Sequence, residues 1–417
     1  MRTLQKNLTN GFYALISLPS TAMGFALSIQ ISALSWILTT QYHLDIHQVG
    51  IVWAAGPLAG IFGQVIVGVI SDRVWFWGGR RRPFIVAGGI LAALMLFALP
   101  NIRAVNDALP FAGLLVVATG VALTLDLAIN ISFNPTRSII ADVTPEGTPR
   151  TKGYTWMQTI SGFFGVMAYV VGAVFGNFAL IYAGVVLVLA FSVIPVFFIT
   201  EPRELAGAGP GEEKGGATRT EWGQLWRLFG AHAFSWIGVQ TMFVYIIAFI
   251  QQKMALPAGA EESARTAGQI ISISFAVLNT VGFILPAPVL EPLAVRFTRV
   301  KVHAAAVAVM ALGYFGVVLA GTSPAALYVL MGVLGIGWAS VVSLPFAIMT
   351  EKIDKSRTGF FMGIFNLSVV LPQLFVSLVL GSVIQDAADK SVIFLISGCA
   401  LALSAAGWLL VREGRSA

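Results

Sequence analysis

The sequence predicts an all-α membrane protein with twelve transmembrane helices, arranged as two six-helix bundles with both termini in the cytoplasm. Of its 417 residues, 57% are hydrophobic and only 11% are charged, and the mean hydropathy is +0.85. A soluble protein of ordinary composition has about 25% charged residues. The polar sequence that remains is too short for a sizeable soluble domain, and a soluble α/β enzyme is therefore disfavoured.

Twelve apolar runs are long enough to cross a hydrocarbon core of ~30 Å, which takes about 20 helical residues. By residue number they are 12–38, 48–70, 83–100, 110–140, 155–177, 179–199, 228–250, 267–288, 303–320, 325–349, 358–384 and 392–411. The first run is too long for the apolar region of a signal peptide, so we expect it to act as its own insertion signal.

The distribution of basic residues sets the predicted topology. Twenty of the 25 lysines and arginines fall on the same side as the N-terminus, four fall in the opposite loops, and Arg137 lies within a run. By the positive-inside rule, the side with the excess is cytoplasmic. The net charge of +6 then reflects orientation in a membrane, and we expect a multi-pass protein of the inner (plasma) membrane that binds no nucleic acid.

The fourth run contains the most unusual polar residues of the chain. Asp126, Asn130 and Arg137 are separated by four and seven residues, with Pro135 between the last two. At ~100° per residue, the three side chains share one helical face within about 40°. Charged residues inside a transmembrane helix are costly and are functional candidates by default.

The two halves of the chain repeat each other. Glu291, Arg299 and Lys301 each lie 219 residues after an equivalent residue of the loop between runs 2 and 3, namely Asp72, Arg80 and Arg82. A second echo relates Asp142 to Glu351, whereas Arg137 aligns with the apolar Ala347. Parallel six-helix repeats are typical of transporters that rock two bundles around a central site. We expect bundles at 1–200 and 227–417, joined by a cytoplasmic linker at 201–226.

Charged residues at the cytoplasmic helix ends suit a gate that latches by ion pairing. Interfacial solvation explains the same residues equally well, because exposed ion pairs contribute little. The predicted gate residues are Asp72, Arg73, Arg80, Arg81, Arg82, Asp142, Glu291, Arg299 and Glu351.

Several motifs together resemble the major facilitator superfamily, and within it the sucrose/proton symporter family. Gly79–Phe84 (GRRRPF) is similar to the cytoplasmic signature of that family, and Gly56–Gly60 (GPLAG), preceded by Trp53, to its second helix. In the fourth helix the family has Asp, Asn, Pro, Arg and Ala-Asp at fixed offsets, and here these are Asp126, Asn130, Pro135, Arg137, Ala141 and Asp142. Leu344–Ala347 and the segments Gly363–Asn366 and Val370–Gln373 also resemble the family.

The resemblance implies the major facilitator fold and proton-coupled uptake of a disaccharide or glucoside, such as sucrose or maltose. In this interpretation Asp126 binds the proton, and Arg137 pairs with it, or with a sugar hydroxyl, in some states only. Eleven helical residues rise ~16 Å, so either Pro135 distorts the helix or the two groups act at different depths. The chain departs from plant members after the seventh run, where it reads Phe249–Lys253 (FIQQK), and at His47, which is one position out of register.

Sugars are bound by amide hydrogen bonds and by aromatic rings against their apolar faces. Taken singly, each candidate is favoured as a polar contact between helices over a sugar ligand, except Gln30, for which the two interpretations are balanced. The candidate substrate-binding residues are Gln30, Trp53, Asn130, Gln158, Gln240, Asn279, Trp338, Asn366 and Gln373, with Trp236 as a further aromatic platform.

Other functions stay open at this level. A proton-driven exporter is disfavoured because the glycines of the fifth run lack the accompanying proline of exporters, and a sodium-coupled sugar symporter is not distinguished by one buried acid. A membrane-embedded enzyme is less favoured, because the four histidines are scattered. A non-transporting sensor is the last alternative, and sugar binding without counterflow in liposomes would favour it. We expect a monomer with no cofactor besides the coupling proton, and the lone Cys399 excludes an internal disulfide.

Overall fold

The computed structural model describes residues 5–60, 70, 74–109, 112–145, 148–203, 220–353 and 358–412. It divides into two compact units. Unit 1 comprises residues Met1–Leu44 and Ile51–Pro210, and unit 2 comprises Asp45–Gly50 and Gly211–Ala417. Much of the predicted linker, residues 204–219, lies outside the described residues.

Unit 1 is built from long apolar helices with short interruptions. Its α-helices are α1 (Asn10–Ile29), α2 (Ser35–Thr40), α3 (Ile46–Trp53, whose first residues belong to unit 2), α4 (Arg82–Ala98), α5 (Ile102–Ala108), α6 (Leu114–Val143), α7 (Thr148–Phe175) and α8 (Asn177–Val193). A π-helical segment, Gln30–Leu34, joins α1 to α2, and a 3₁₀ turn, Leu99–Asn101, joins α4 to α5. Residues 55–60 are also helical.

Unit 2 has the same character. Its α-helices are α9 (Trp222–Lys253), α10 (Ala260–Ile284), α11 (Glu291–Phe297), α12 (Arg299–Ala320), α13 (Pro324–Val341), α14 (Leu344–Thr350), α15 (Thr358–Phe375), α16 (Gly381–Asp386) and α17 (Val392–Trp408). Two further π-helical segments, Pro286–Leu290 and Val376–Leu380, lie between α10 and α11 and between α15 and α16.

The described helices confirm an all-α membrane protein, whereas the count of twelve spans and the cytoplasmic termini stay predictions. Ten of them, some counted with their short continuations, are long and apolar enough to cross a membrane, and the apolar α17 is shorter. The predicted run at 48–70 is described only in part, because residues 61–69 lie outside the described residues. The helix that carries Asp126 continues through Pro135 from Leu114 to Val143, and the chain therefore crosses the apolar layer there without a break.

Small residues bring the helix with Asp126 close to its neighbour. A Cβ added at Gly88 of α4 would lie 2.1 Å from Ser132 Oγ and 2.7 Å from the Ala128 carbonyl of α6. Ser132 in turn donates to the Phe84 carbonyl of α4 at 3.2 Å. Glycine at this position allows the two backbones to approach closely, which is how helices associate in lipid. Ala128 and Ser132 lie on the side of α6 opposite Asp126, so α4 packs against the face that does not carry the polar residues.

Candidate functional site

The centre of unit 1 holds a buried carboxylate. Asp126 is 6% exposed, and its Oδ2 accepts a hydrogen bond from Gln30 Nε2 at 2.8 Å. Gly56 faces the same carboxylate, because a Cβ placed there would lie 3.1 Å from Oδ2 and 3.2 Å from Oδ1. Three helical segments of unit 1 thus meet at one ionisable group.

Gln30 reaches Asp126 from an irregular part of its helix. It is 4% exposed and is the first residue of the π-helical segment Gln30–Leu34. Such π-bulges re-aim side chains and are frequent at functional sites. One turn further on, Ser35 Oγ accepts from Trp53 Nε1 at 2.7 Å. Gln30 and Trp53 were both predicted from sequence to bind substrate; the structure places Gln30 against Asp126 and Trp53 against Ser35, five residues after Gln30.

The other polar residues of α6 lie at different depths. Asn130 Nδ2 donates to the Asp126 backbone carbonyl at 2.8 Å, within its own helix. The guanidinium of Arg137 lies over the Phe133 ring, 4.0 Å from its centroid, and the residue is exposed. No ion pair joins Asp126 to Arg137 among the residues described. Because α6 is continuous through Pro135, the two side chains occupy separate levels of this helix.

In unit 2 the predicted sugar ligands form two separate polar contacts. Gln373 Nε2 donates to the buried Gln240 Oε1 at 3.2 Å. Trp338 Nε1 donates to Asn279 Oδ1, also at 3.2 Å. The structure therefore brings together four of the predicted residues in pairs on facing helices.

Aromatic rings surround the Asn279 contact. The Trp338 ring packs edge-on against Trp236 and Phe243, with centroids 6.1 and 5.3 Å away. Of the remaining candidates, Asn366 is half-buried in α15 and Gln158 is exposed on α7. Neither joins the contacts above.

Among the described gate residues, Arg81 pairs with Asp142 in unit 1 and Arg299 pairs with Glu351 in unit 2. Arg81 Nε contacts Asp142 Oδ2 at 3.0 Å, and both side chains are nearly buried. Arg299 pairs with Glu351 in unit 2, where both side chains are more exposed. Glu291 begins α11 and is exposed. Asp72 and Arg73 lie outside the described residues.

Glu201 organises the arginine cluster, a role that the sequence did not reveal. Its carboxylate accepts from three consecutive backbone N–H groups, those of Arg80, Arg81 and Arg82, at 2.8, 2.9 and 2.9 Å. These groups lie at the N-terminus of α4, where backbone N–H groups lack helical partners and a negative charge is favoured. The acid lies 119 residues from Arg82, and no local pattern links the two.

Two histidines that are distant in sequence share one aromatic neighbour in unit 2. The rings of His232 and His303 lie 6.5 and 4.3 Å from Trp408. His232 Nε2 accepts from Trp236 Nε1 at 3.0 Å, and His303 Nδ1 bonds Ser340 Oγ at 2.6 Å. The sequence predicts scattered histidines, and for His232 and His303 the structure corrects that interpretation.

Membrane-crossing helices that enclose a buried carboxylate define a polytopic membrane protein. The chain belongs to the Major Facilitator Superfamily, whose family model matches residues 17–376. This assignment confirms the superfamily suggested by the motifs of the second, third and fourth helices.

Among curated proteins, the chain is 24% identical to the sucrose transport protein SUC4 of Arabidopsis thaliana over 388 residues, with 78% of this chain and 75% of the relative covered. It is 35% identical to the general alpha-glucoside permease of Schizosaccharomyces pombe over 128 residues, which cover 29% of this chain and 23% of the permease. Among solved structures, the nucleoside transporter NupG aligns with a TM-score of 0.74 at 13% identity, covering 97% of this chain and 99% of NupG. The xylose transporter XylE from E. coli aligns with a TM-score of 0.69 at 15% identity, covering 97% of each chain.

Proposed function

We propose that this protein is a secondary active transporter that couples proton entry to the uptake of a disaccharide or glucoside across the plasma membrane. The observation that carries the proposal is the buried Asp126 carboxylate, held by Gln30 in a membrane-crossing helix. The substrate class is supported by the relatives named for sucrose and alpha-glucoside transport. Transport, rather than catalysis, is the activity that this combination favours.

The proton-binding step follows from the surroundings of Asp126. Gln30 supplies one neutral donor to the carboxylate, and no lysine or arginine pairs with it among the described residues. Burying an unpaired charge is costly. A carboxyl group in this position binds a proton while it is shielded from water, because the neutral form is then favoured. It releases the proton when water reaches it. In an alternating-access cycle the site opens first to one side of the membrane and then to the other, which would change the access of water to the carboxyl group.

Within unit 2, sugar binding is assigned to two polar pairs made of amide and indole side chains. Gln373 donates one amide hydrogen bond to Gln240, and the Trp338–Asn279 pair adds an aromatic face beside an amide. Neutral amides suit an uncharged polyol because each amide both donates and accepts hydrogen bonds. Arg137, at a separate level of α6, is available to a sugar hydroxyl in other states of the cycle.

Reconstitution in liposomes tests the proposal directly. An imposed inward proton gradient should drive accumulation of radiolabelled sucrose or maltose above the external concentration, and a sodium gradient without a pH difference should not. Accumulation driven by sodium alone would replace the proton with sodium as the coupling ion. The absence of pH-driven accumulation for every disaccharide and glucoside in a panel would overturn the proposal.

A further inference from the structure

A cluster of exposed aromatic residues precedes α4. Trp75, Phe76 and Trp77 are 37, 66 and 56% exposed, and Val74 beside them is 42% exposed. We call residues 74–79 the aromatic turn. The proposed transport cycle gives these side chains no role, and such a concentration of exposed large apolar groups marks a binding surface.

The aromatic turn is a formed structure that holds its rings outward. Phe76 and Gly79 exchange backbone hydrogen bonds of 3.0 and 3.2 Å, which closes a two-residue turn. Its central residues, Trp77 and Gly78, have φ of 51° and 73°. Positive φ at both positions is typical of a type I′ turn, where Asn and Gly are preferred and a bulky aromatic residue is unusual. A tryptophan at this position places a large ring at the tip of the loop.

Positive charge lies next to the aromatic turn. Arg80 Nη2 donates to the Arg203 carbonyl and Arg82 Nη1 to the Gly78 carbonyl, at 3.2 and 3.3 Å. In the described part of the chain, these two guanidinium groups contact carbonyl oxygens and no carboxylate. Arg82 Nε is buried without a hydrogen-bond partner among the described residues. By contrast, the charge of Arg81 is balanced by Asp142. The guanidinium groups of Arg80 and Arg82 thus lie beside the exposed rings, while the Glu201 carboxylate binds the backbone N–H groups of the same two residues.

The position of the turn identifies its partner. It leads directly into α4, which begins at Arg82 and crosses the membrane, so the turn lies where lipid headgroups meet water. Tryptophan is enriched at that interface, and arginines near it are attracted to anionic lipids. We propose that the aromatic turn, with Arg80 and Arg82, binds the cytoplasmic leaflet surface and selects anionic phospholipids there.

A fluorescent label on the turn tests this proposal in the full-length protein. Cys399 is the only cysteine, so a Cys399→Ser, Phe76→Cys double variant takes one environment-sensitive probe. In vesicles with phosphatidylglycerol, the probe should be quenched by lipid-attached quenchers and shielded from aqueous iodide. A probe introduced by Ala258→Cys, in an exposed loop segment without aromatic neighbours, should stay open to iodide.

The arginines are tested by lipid composition. Probe shielding should rise with the fraction of phosphatidylglycerol in phosphatidylcholine vesicles. Arg80→Gln and Arg82→Gln should each raise the fraction needed for half-maximal shielding about fivefold, since one basic residue at a surface contributes ~1 kcal/mol. Arg265→Gln, an exposed arginine of α10, should leave it unchanged.

Two outcomes would overturn the assignment. One is iodide quenching of the probe at position 76 that stays the same at every phosphatidylglycerol content. This is measured in the variant that keeps Arg80 and Arg82. The other is shielding that depends on the protein-to-lipid ratio instead of lipid charge, which would assign the turn to a contact with a second copy. Neither readout requires transport, so the test is independent of the proposed sugar substrate.

Discussion

At the scale of single residues, the fit between Gly56 and the Asp126 carboxylate is the tightest constraint on the proposed proton site. A methyl group at Gly56 would already lie 3.1 to 3.3 Å from the carboxylate atoms, closer than an ordinary van der Waals contact. We expect Gly56→Val to displace the carboxylate from Gln30 and to lower proton-driven uptake at least tenfold, an effect of about 1.4 kcal/mol or more. Initial uptake rates in proteoliposomes measure it.

Gly60 provides the matched control for this substitution. It lies one helical turn further along the same segment, and a Cβ there would meet nothing within 4 Å. Gly60→Val should therefore leave uptake close to that of the parent protein. Equal loss of uptake in both variants would show that helix propensity, and not contact with Asp126, is responsible.

Replacing the acid itself separates proton coupling from sugar binding. In Asp126→Asn the amide oxygen can still accept from Gln30 Nε2, so the fold and the local packing should persist. The variant should lose accumulation against a sugar gradient and retain exchange of internal for external sugar, at least in part. Counterflow assays beside pH-driven uptake measure the two activities. A variant that still concentrates sugar under a proton gradient would remove Asp126 from the coupling role.

Single residues also show where sequence reasoning succeeds. An acid inside an apolar run is conspicuous by its cost, so Asp126 could be singled out without any structure. The contacts that Gln30 and Gly56 make with it could not be predicted, because the two residues lie 96 and 70 positions away in the sequence. Gln30 was predicted to bind substrate, but its orientation depends on a π-helical segment that no local pattern marks.

At the scale of elements, Glu201 joins the end of the first bundle to the start of α4. The acid is 5% exposed and accepts from three backbone N–H groups. We expect Glu201→Ala to leave these donors unsatisfied and to lower the free energy of unfolding by about 1–3 kcal/mol. The apparent melting temperature in detergent should fall accordingly.

Glu221 is a suitable control for that experiment. It is the residue before α9, it is exposed, and its side chain makes no capping hydrogen bond. Glu221→Ala removes the same charge from a helix N-terminus without removing a backbone acceptor, so its effect should be a few tenths of a kcal/mol. A Glu201→Ala variant as stable as Glu221→Ala would contradict the role inferred for Glu201.

The positions of the membrane helices were more predictable than the helix ends and the π-helical segments between helices. The apolar runs predicted the described membrane helices because about 20 apolar residues leave few alternatives in lipid. The π-helical segments at Gln30–Leu34, Pro286–Leu290 and Val376–Leu380 were not predicted, since tertiary contacts decide them. The same holds for α9, which begins at Trp222, inside the segment predicted as linker.

At the scale of the whole molecule, the internal repeat places an equivalent ion pair in each half. The sequence offset of 219 aligned Arg80 with Arg299, and a separate echo aligned Asp142 with Glu351. The structure pairs Arg299 with Glu351 but uses Arg81, one residue further on, to pair with Asp142. The backbone N–H groups at the start of the next helix also find different acceptors in the two halves. In unit 2, Thr298 Oγ1 accepts from Lys301 N, whereas in unit 1 the Glu201 carboxylate accepts from the first N–H groups of α4.

The two ion pairs should differ in strength because they differ in burial. Side chains of the Arg81–Asp142 pair are 8 and 10% exposed, against 42 and 37% for Arg299 and Glu351. Leaving a buried charge without its partner costs about 3–5 kcal/mol, whereas an exposed pair contributes ~0–1 kcal/mol. Asp142→Asn should therefore lower the apparent melting temperature clearly, and Glu351→Gln should barely change it.

A double variant decides whether the buried pair itself is responsible. If Asp142→Asn destabilises the protein by stranding the Arg81 charge, then adding Arg81→Gln should restore part of the lost stability, giving a coupling energy of about 0.5–3 kcal/mol. The equivalent cycle with Arg299→Gln and Glu351→Gln should give a coupling near zero. Equal coupling in the two halves would contradict the inferred asymmetry. A larger coupling energy in unit 1 would mean that both halves keep an ion pair at the same place. Only the pair in unit 1, the half that carries Asp126, would then contribute strongly to stability.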